Sequence, residues 1–250
     1  MTSVLEGYSR QFQWRSWPTI FRALPDLGGQ LVLDLGSGIG DLAADMASRG
    51  AQVIGVDITE ELVEFARDRA IGNAEFRVGD LRDFDDTSIR ADGIWSSFTA
   101  AYFPELHGVA AAWLKHLRPG GWMALTEVDD MFAHGPLSER STRFLNGYVS
   151  ESLEQSRYDF RMGRKLGRVL QEIGMQVQQE FTVPDAELSF CGPAPTEVIE
   201  AWRDRFDRMK LLHAYCGAEF SHVRDEFLNC LSQANHECTA SVKCCIATMG

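Results

Sequence analysis

No stretch of about 18 uncharged apolar residues occurs in this chain of 250 residues, so nothing in it reads as a membrane span. The first residues carry no basic segment followed by an apolar one, so no targeting signal is expected and a cytoplasmic location is. Cysteine is confined to the last quarter, at Cys191, Cys216, Cys230, Cys238, Cys244 and Cys245, with no Cys-x-x-Cys pair among them. That spacing excludes the common thiolate zinc sites and predicts free thiols used as small core residues. A dense Lys/Arg run is also missing, and Lys plus Arg total 24 against 36 Asp plus Glu, a formal net charge of −12. A surface of that sign repels polyanions, so nucleic acid is not an expected partner.

What is present is a composition that can bury one sizeable core, 45% hydrophobic over 250 residues, which predicts a single domain over 1–250. Residues 32–40 read Val-Leu-Asp-Leu-Gly-Ser-Gly-Ile-Gly, an apolar strand running into a glycine-rich turn. Asp57 ends the next apolar run, residues 53–56. Backbone that must approach a ligand closely cannot carry a Cβ, so Gly36, Gly38 and Gly40 mark the approach. A helix starting near Ile39 would aim its free N–H groups at an anionic ligand group. A carboxylate about 20 residues on, at the tip of the second strand, is placed to accept hydrogen bonds from ribose hydroxyls. The ligand class is an adenosine-containing cofactor.

The spacing of the glycines narrows that class. The nicotinamide and flavin fingerprint is G-x-G-x-x-G, whereas this turn is G-x-G-x-G, with Asp41 where the third glycine of the fingerprint belongs. A P-loop lysine is absent as well. Asp34 sits inside an otherwise apolar strand, and a buried acid needs a charged or hydrogen-bonded partner. S-adenosylmethionine offers one, since it has a free amino group and no phosphate.

These residues resemble the class I S-adenosylmethionine-dependent methyltransferases. Residues 32–40 are similar to the family's first motif, residues 55–58 to its ribose-binding strand end, and residues 78–81 to the segment beside the adenine. Residues 117–127, Leu-Arg-Pro-Gly-Gly-Trp followed by Met-Ala-Leu-Thr-Glu, resemble the family's turn and fifth strand, in the form seen in the small-molecule branch that includes quinone-biosynthesis enzymes. The resemblance covers about residues 30–128. It implies a Rossmann-like α/β fold, a seven-stranded and mostly parallel sheet with helices on both faces. It implies S-adenosylmethionine as cofactor, S-adenosylhomocysteine as product, and a final strand inserted antiparallel beside the fifth, burying Cys244, Cys245 or both. Asp34, Gly36, Ser37 and Gly38 would bind the methionine part, Asp57 and Ile58 the ribose and adenine edge, and Asp80 with Leu81 the adenine; Ser96 joins this cofactor-binding set.

The rest of the chain alternates strand and helix patterns. Expected elements are an amphipathic helix over 10–24, strands at 31–35, 76–78, 94–98 and 122–128, and a helix beginning near Pro104. Later come helices at 138–156, 163–173, 195–212 and 216–234, with strands at 175–183 and 242–249. Residues 129–162 and 190–235 are the expected helical lid insertions, because ligands sit where the strand order reverses at the C-terminal edge of such a sheet. Their rings, with Phe12, Trp14, Trp17, Phe98, Tyr102 and Phe103, would either wall a site for a flat small molecule or pack the lid onto the sheet.

A sulfonium carries its own leaving group, so methyl transfer needs in-line positioning more than a base. His107, Glu127 and His134 are the candidates if a base acts. Residues 95–99, Trp-Ser-Ser-Phe-Thr, lack the Asn/Asp-Pro-Pro-aromatic run of relatives acting on nucleobase or glutamine amides. Asp129 and Asp130 would supply only half of a catechol-type magnesium site, so no metal is expected. The expected function is methyl transfer to an oxygen, nitrogen or carbon of a small, ring-containing metabolite. A nicotinamide-dependent oxidoreductase and a catalytically silent cofactor-binding scaffold are the alternatives; the sequence carries no sign of oligomeric state.

Overall fold

Successive residues of the central strands face opposite cores, as a sheet covered on both sides requires. Val32, Trp95, Ala124 and Cys244 belong to one buried cluster, while their neighbours Leu33, Ile94, Met123 and Cys245 belong to the other. The structure, a computed structural model, describes residues 4–86 and 88–250.

Helices α1 (Val4–Gln13) and α2 (Trp17–Phe21) precede the sheet. The single helix expected over 10–24 is therefore broken at residues 14–16. Pro18 lacks an N–H and takes the first turn of α2, where none is needed. Then follow β1 (Leu31–Leu35), α3 (Asp41–Ser48), β2 (Gln52–Asp57), α4 (Glu60–Asp68), β3 (Ala74–Val78), β4 (Ala91–Ser97), α5 (Leu106–Trp113) and β5 (Leu117–Asp129). Helix α3 starts at Asp41 and not near Ile39, because Gly40, its N-cap, takes a left-handed φ of 79°.

Beyond β5 lie β6 (His134–Gly135), α6 (Glu139–Glu154), α7 (Leu166–Glu172), β7 (Met175–Val183), α8 (Thr196–Arg208), α9 (Lys210–Cys216), α10 (Phe220–Leu231), β8 (Glu237–Cys238) and β9 (Ser241–Met249). Ser138 caps α6 by accepting the Ser141 N–H, as the Ser-x-x pattern favours. The two helices expected over 195–234 are three, with a break at Met209 and a turn at Gly217.

The seven-stranded sheet has the order β3-β2-β1-β4-β5-β9-β7. Strand β9 runs antiparallel to both neighbours, and the other six strands are mutually parallel. Both Cys244 and Cys245 are buried on it. All six cysteines are free thiols, and burial pushes those of Cys244 and Cys245 up to about 12. The order reverses between β1 and β4, which opens a crevice at their C-terminal ends. No helix among the described residues is long and apolar enough to cross a membrane.

Candidate functional site

The turn after β1 is tied to β2 before any ligand arrives. Gly36 and Ser37 donate their N–H groups to the Val56 carbonyl at 2.8 and 3.1 Å. Asp57 at the end of β2 accepts the Gly38 N–H on Oδ2 and the Thr59 N–H on Oδ1, both at 2.9 Å. Gly36 has φ 84°, and a Cβ there would lie 1.9 Å from Thr99 Oγ1, so only glycine fits. The result is a fixed loop that presents backbone and two carboxylates to a cavity of about 520 Å³.

Asp34 is the floor of that cavity. It is 1% exposed, its Oδ2 and the Ser37 Oγ are buried with no hydrogen-bond partner among the described residues, and unpaired buried groups of this kind are rare. Burial, and then the neighbouring Asp57 carboxylate, push the Asp34 carboxyl up to about 7. A cation or a hydrogen-bond donor placed in the cavity would satisfy both atoms. An S-adenosylmethionine amino group fits that demand.

Of the residues expected to bind the cofactor, Asp34, Gly36, Ser37, Gly38, Asp57, Ile58, Asp80 and Leu81 all line this one cavity. Ile58 is 60% exposed, an apolar side chain left open beside Leu81 and Phe103. Asp80 is turned partly toward its own loop, where Arg82 grips both carboxylate oxygens and holds the carboxyl below the usual range. Ser96 does not belong to the set: it is fully buried and its Oγ donates to the Leu35 carbonyl at 2.8 Å. Strand alternation turns the next residue, Ser97, to the cavity instead.

None of the three base candidates lines the cavity. His107 is exposed on α5. Glu127 is fully buried; its Oε1 accepts the Val128 N–H and its Oε2 the Ala101 N–H, and burial pushes it up to about 7. His134 stacks on His236 at a ring separation of 5.2 Å and takes part in a 2.9 Å contact between ring nitrogens. Burial, with the second histidine, drives it down to about 3.

A second cavity of about 430 Å³ adjoins the first and shares Gln11, Arg15, Phe98 and Tyr102 with it. Its walls carry Tyr148, Tyr158 and Phe160. The aromatic residues thus divide. Phe132, Trp202, Phe206 and Phe227 pack on one another in the core with centroids 4.9 to 6.5 Å apart and line neither cavity, whereas Tyr148, Tyr158 and Phe160 pack against that same core and also line the second cavity. Phe12 and Trp17 line the first cavity and Trp14 lines neither. Sequence reasoning missed Arg15, which lies 4.1 Å over the Phe98 ring and pairs with buried Asp185 and Glu187 at 3.2 and 3.5 Å. Its place among Phe12, Trp14 and Trp17 was the available signal.

A parallel sheet with a glycine cradle and an acid at the second strand end, opening at the switch point, defines a Rossmann-like cofactor-binding α/β protein. Residues 32–121 match the family model described as a methyltransferase domain. Methyltransferase GfsG of Streptomyces halstedii is 32% identical over 208 residues, covering 75% of this chain and 73% of that protein. The chain belongs to the class I S-adenosylmethionine-dependent methyltransferase family. Phosphoethanolamine N-methyltransferase 1 of Arabidopsis thaliana is 30% identical over 152 residues, 58% of this chain, and the chain spans only 28% of its length. The structure of Haemonchus contortus phosphoethanolamine N-methyltransferase 2 in complex with S-adenosyl-L-methionine has the same fold, with a TM-score of 0.58 at 21% identity over 98% of this chain and 53% of that one. The nicotinamide alternative is set aside by this membership.

Proposed function

We propose that the chain transfers a methyl group from S-adenosylmethionine to an oxygen, nitrogen or carbon of a small, ring-containing metabolite. The observation that carries this reading is the second cavity, walled by Tyr148, Tyr158 and Phe160 and joined to the glycine cradle through Phe98 and Tyr102. Its volume is that of a small-molecule site, and its rings suit a flat acceptor, each offset or edge contact adding about 0.5 to 1.5 kcal/mol. S-adenosylmethionine supplies the activated methyl and its own leaving group. Asp34 and Ser37 hold the amino-acid end, Asp57 takes the ribose hydroxyls, and Ile58 and Leu81 cover the adenine. Arg15 and Phe98 stand where the two cavities meet and fix the acceptor's approach, the positioning that supplies the rate.

Calorimetric titration of S-adenosylhomocysteine into the wild type and Asp57→Ala tests the cofactor half. Losing charged hydrogen bonds to ribose should cost about 1.5 to 3 kcal/mol, and unchanged affinity contradicts the assignment. Incubation with methyl-labelled S-adenosylmethionine and a metabolite extract tests the other half. Label in a small molecule supports the enzyme, and tight binding with no labelled product favours the silent scaffold.

A further inference from the structure

The second cavity has a charge that the rest of the chain does not. Although acids outnumber bases 36 to 24 in the sequence, this cavity is lined by Arg15, Arg157, Arg205 and Arg208 and, among the described residues, by no Asp or Glu. Two of the four are already balanced. Arg15 pairs with Asp185 and Glu187, and Arg205 bonds to Glu187 as well; both acids are buried outside the cavity lining. That buried group of two cations and two anions leaves Arg157 and Arg208 in surplus. Glu151 approaches Arg157 only to 3.9 Å, a loose contact between partly exposed side chains that contributes little. Arg208 forms no ion pair among the described residues. Both arginines line the second cavity and not the first, so their charge lies at the end away from the glycine cradle.

We propose that the methyl acceptor carries an oxyanion, carboxylate or phosphate, held between Arg157 and Arg208, with its ring on Tyr148, Tyr158 and Phe160 and its reacting atom toward Phe98. A planar guanidinium presents paired N–H donors that match such an oxyanion. The separation of charge and reacting atom also follows: an anion anchored at the far rim orients the ring without placing its own oxygens at the transferring methyl. This inference rests on the second cavity being the acceptor site, and the test separates the two.

Isothermal titration of the protein saturated with S-adenosylhomocysteine compares benzoate with benzyl alcohol and phenyl phosphate with phenol, and adds benzylamine as a cation. The anion of at least one pair should bind at least about tenfold more tightly than its neutral partner, the gain expected of a charged hydrogen-bonded group. The pair that shows it distinguishes carboxylate from phosphate. The double variant Arg157→Gln, Arg208→Gln should bring anion and neutral partner within about twofold of each other, while S-adenosylhomocysteine affinity keeps its wild-type value. Equal binding of anion and neutral compound, tighter binding of benzylamine, no binding by any probe, or an anion preference that survives in the double variant overturns the proposal. Failure of the wild type to bind S-adenosylhomocysteine tells against the methyltransferase reading instead.

Discussion

Replacing Asp34 by Asn sets the stability of the empty protein against its affinity for cofactor. The carboxyl is 1% exposed and stands at about 7 where 3.8 is ordinary, first because it is buried and then because Asp57 is near. Between those two values the folded chain holds a proton that the unfolded chain has lost. Stability therefore falls as pH rises through the window, and the penalty is complete above about 7. At 1.36 kcal/mol per pH unit the full penalty is on the order of 4 kcal/mol. Asp34→Asn removes the titration, so its stability relative to the wild type should climb by up to about that amount between pH 4 and pH 8, measured by urea unfolding of the unliganded protein. The amide's own unsatisfied N–H groups offset this gain by about 1 to 3 kcal/mol at every pH, which is why the change with pH carries the test. Binding should move the other way. An ammonium group prefers the ionised acid, so wild-type affinity for S-adenosylhomocysteine should fall about tenfold per unit below pH 7, whereas the variant binds about 1.5 to 3 kcal/mol more weakly at pH 8 without that dependence. A variant that binds as tightly as the wild type at pH 8, or a stability difference that stays flat from pH 4 to 8, would refute the reasoning.

Three other substitutions probe separate parts of the structure. Gly36→Ala, with φ 84° and a Cβ 1.9 Å from Thr99 Oγ1, should lose about 1 to 3 kcal/mol of stability from backbone strain alone and S-adenosylhomocysteine affinity with it; wild-type binding by calorimetry would show that the cradle is not the site. Arg205→Met leaves Glu187 buried beside Arg15 alone, so chemical denaturation should report a loss of about 3 to 5 kcal/mol, and a neutral outcome would mean that water already reaches the pair. Glu127→Gln should leave transfer to labelled product within about threefold, because both carboxylate oxygens are engaged by backbone N–H groups. A fall of about 10²-fold to 10⁴-fold, the size of a lost general base, would restore Glu127 as a catalytic residue.

The β1 turn and its acid were legible because their requirements are local. A backbone that bends at positive φ selects glycine within a few residues, and the Asp57 carboxylate reaches the Gly38 N–H directly from the neighbouring strand. Ser96 was misplaced by a single residue, since sequence does not say which member of an alternating pair faces out of the sheet at its end. His134 and Glu127 illustrate the opposite limit. Their chemistry suits a base, yet one is closed by a second histidine 102 positions away in sequence and the other by the N–H of Ala101.

The sequence by itself determined the strand and helix alternation, the glycine cradle, the two acids that face it and the family to which the chain belongs. Each of these follows from steric or hydrogen-bonding demands within one or two neighbouring elements. Only the tertiary structure decided which of the core rings also line a cavity, that Arg15 meets Asp185 and Glu187, and that Arg157 and Arg208 share one cavity. Those groups come from the loop between α1 and α2, from α6 and the loop after it, from α8 and α10, and from the loops after β5 and β7, and the free energy of their contacts depends on distances that no local pattern encodes.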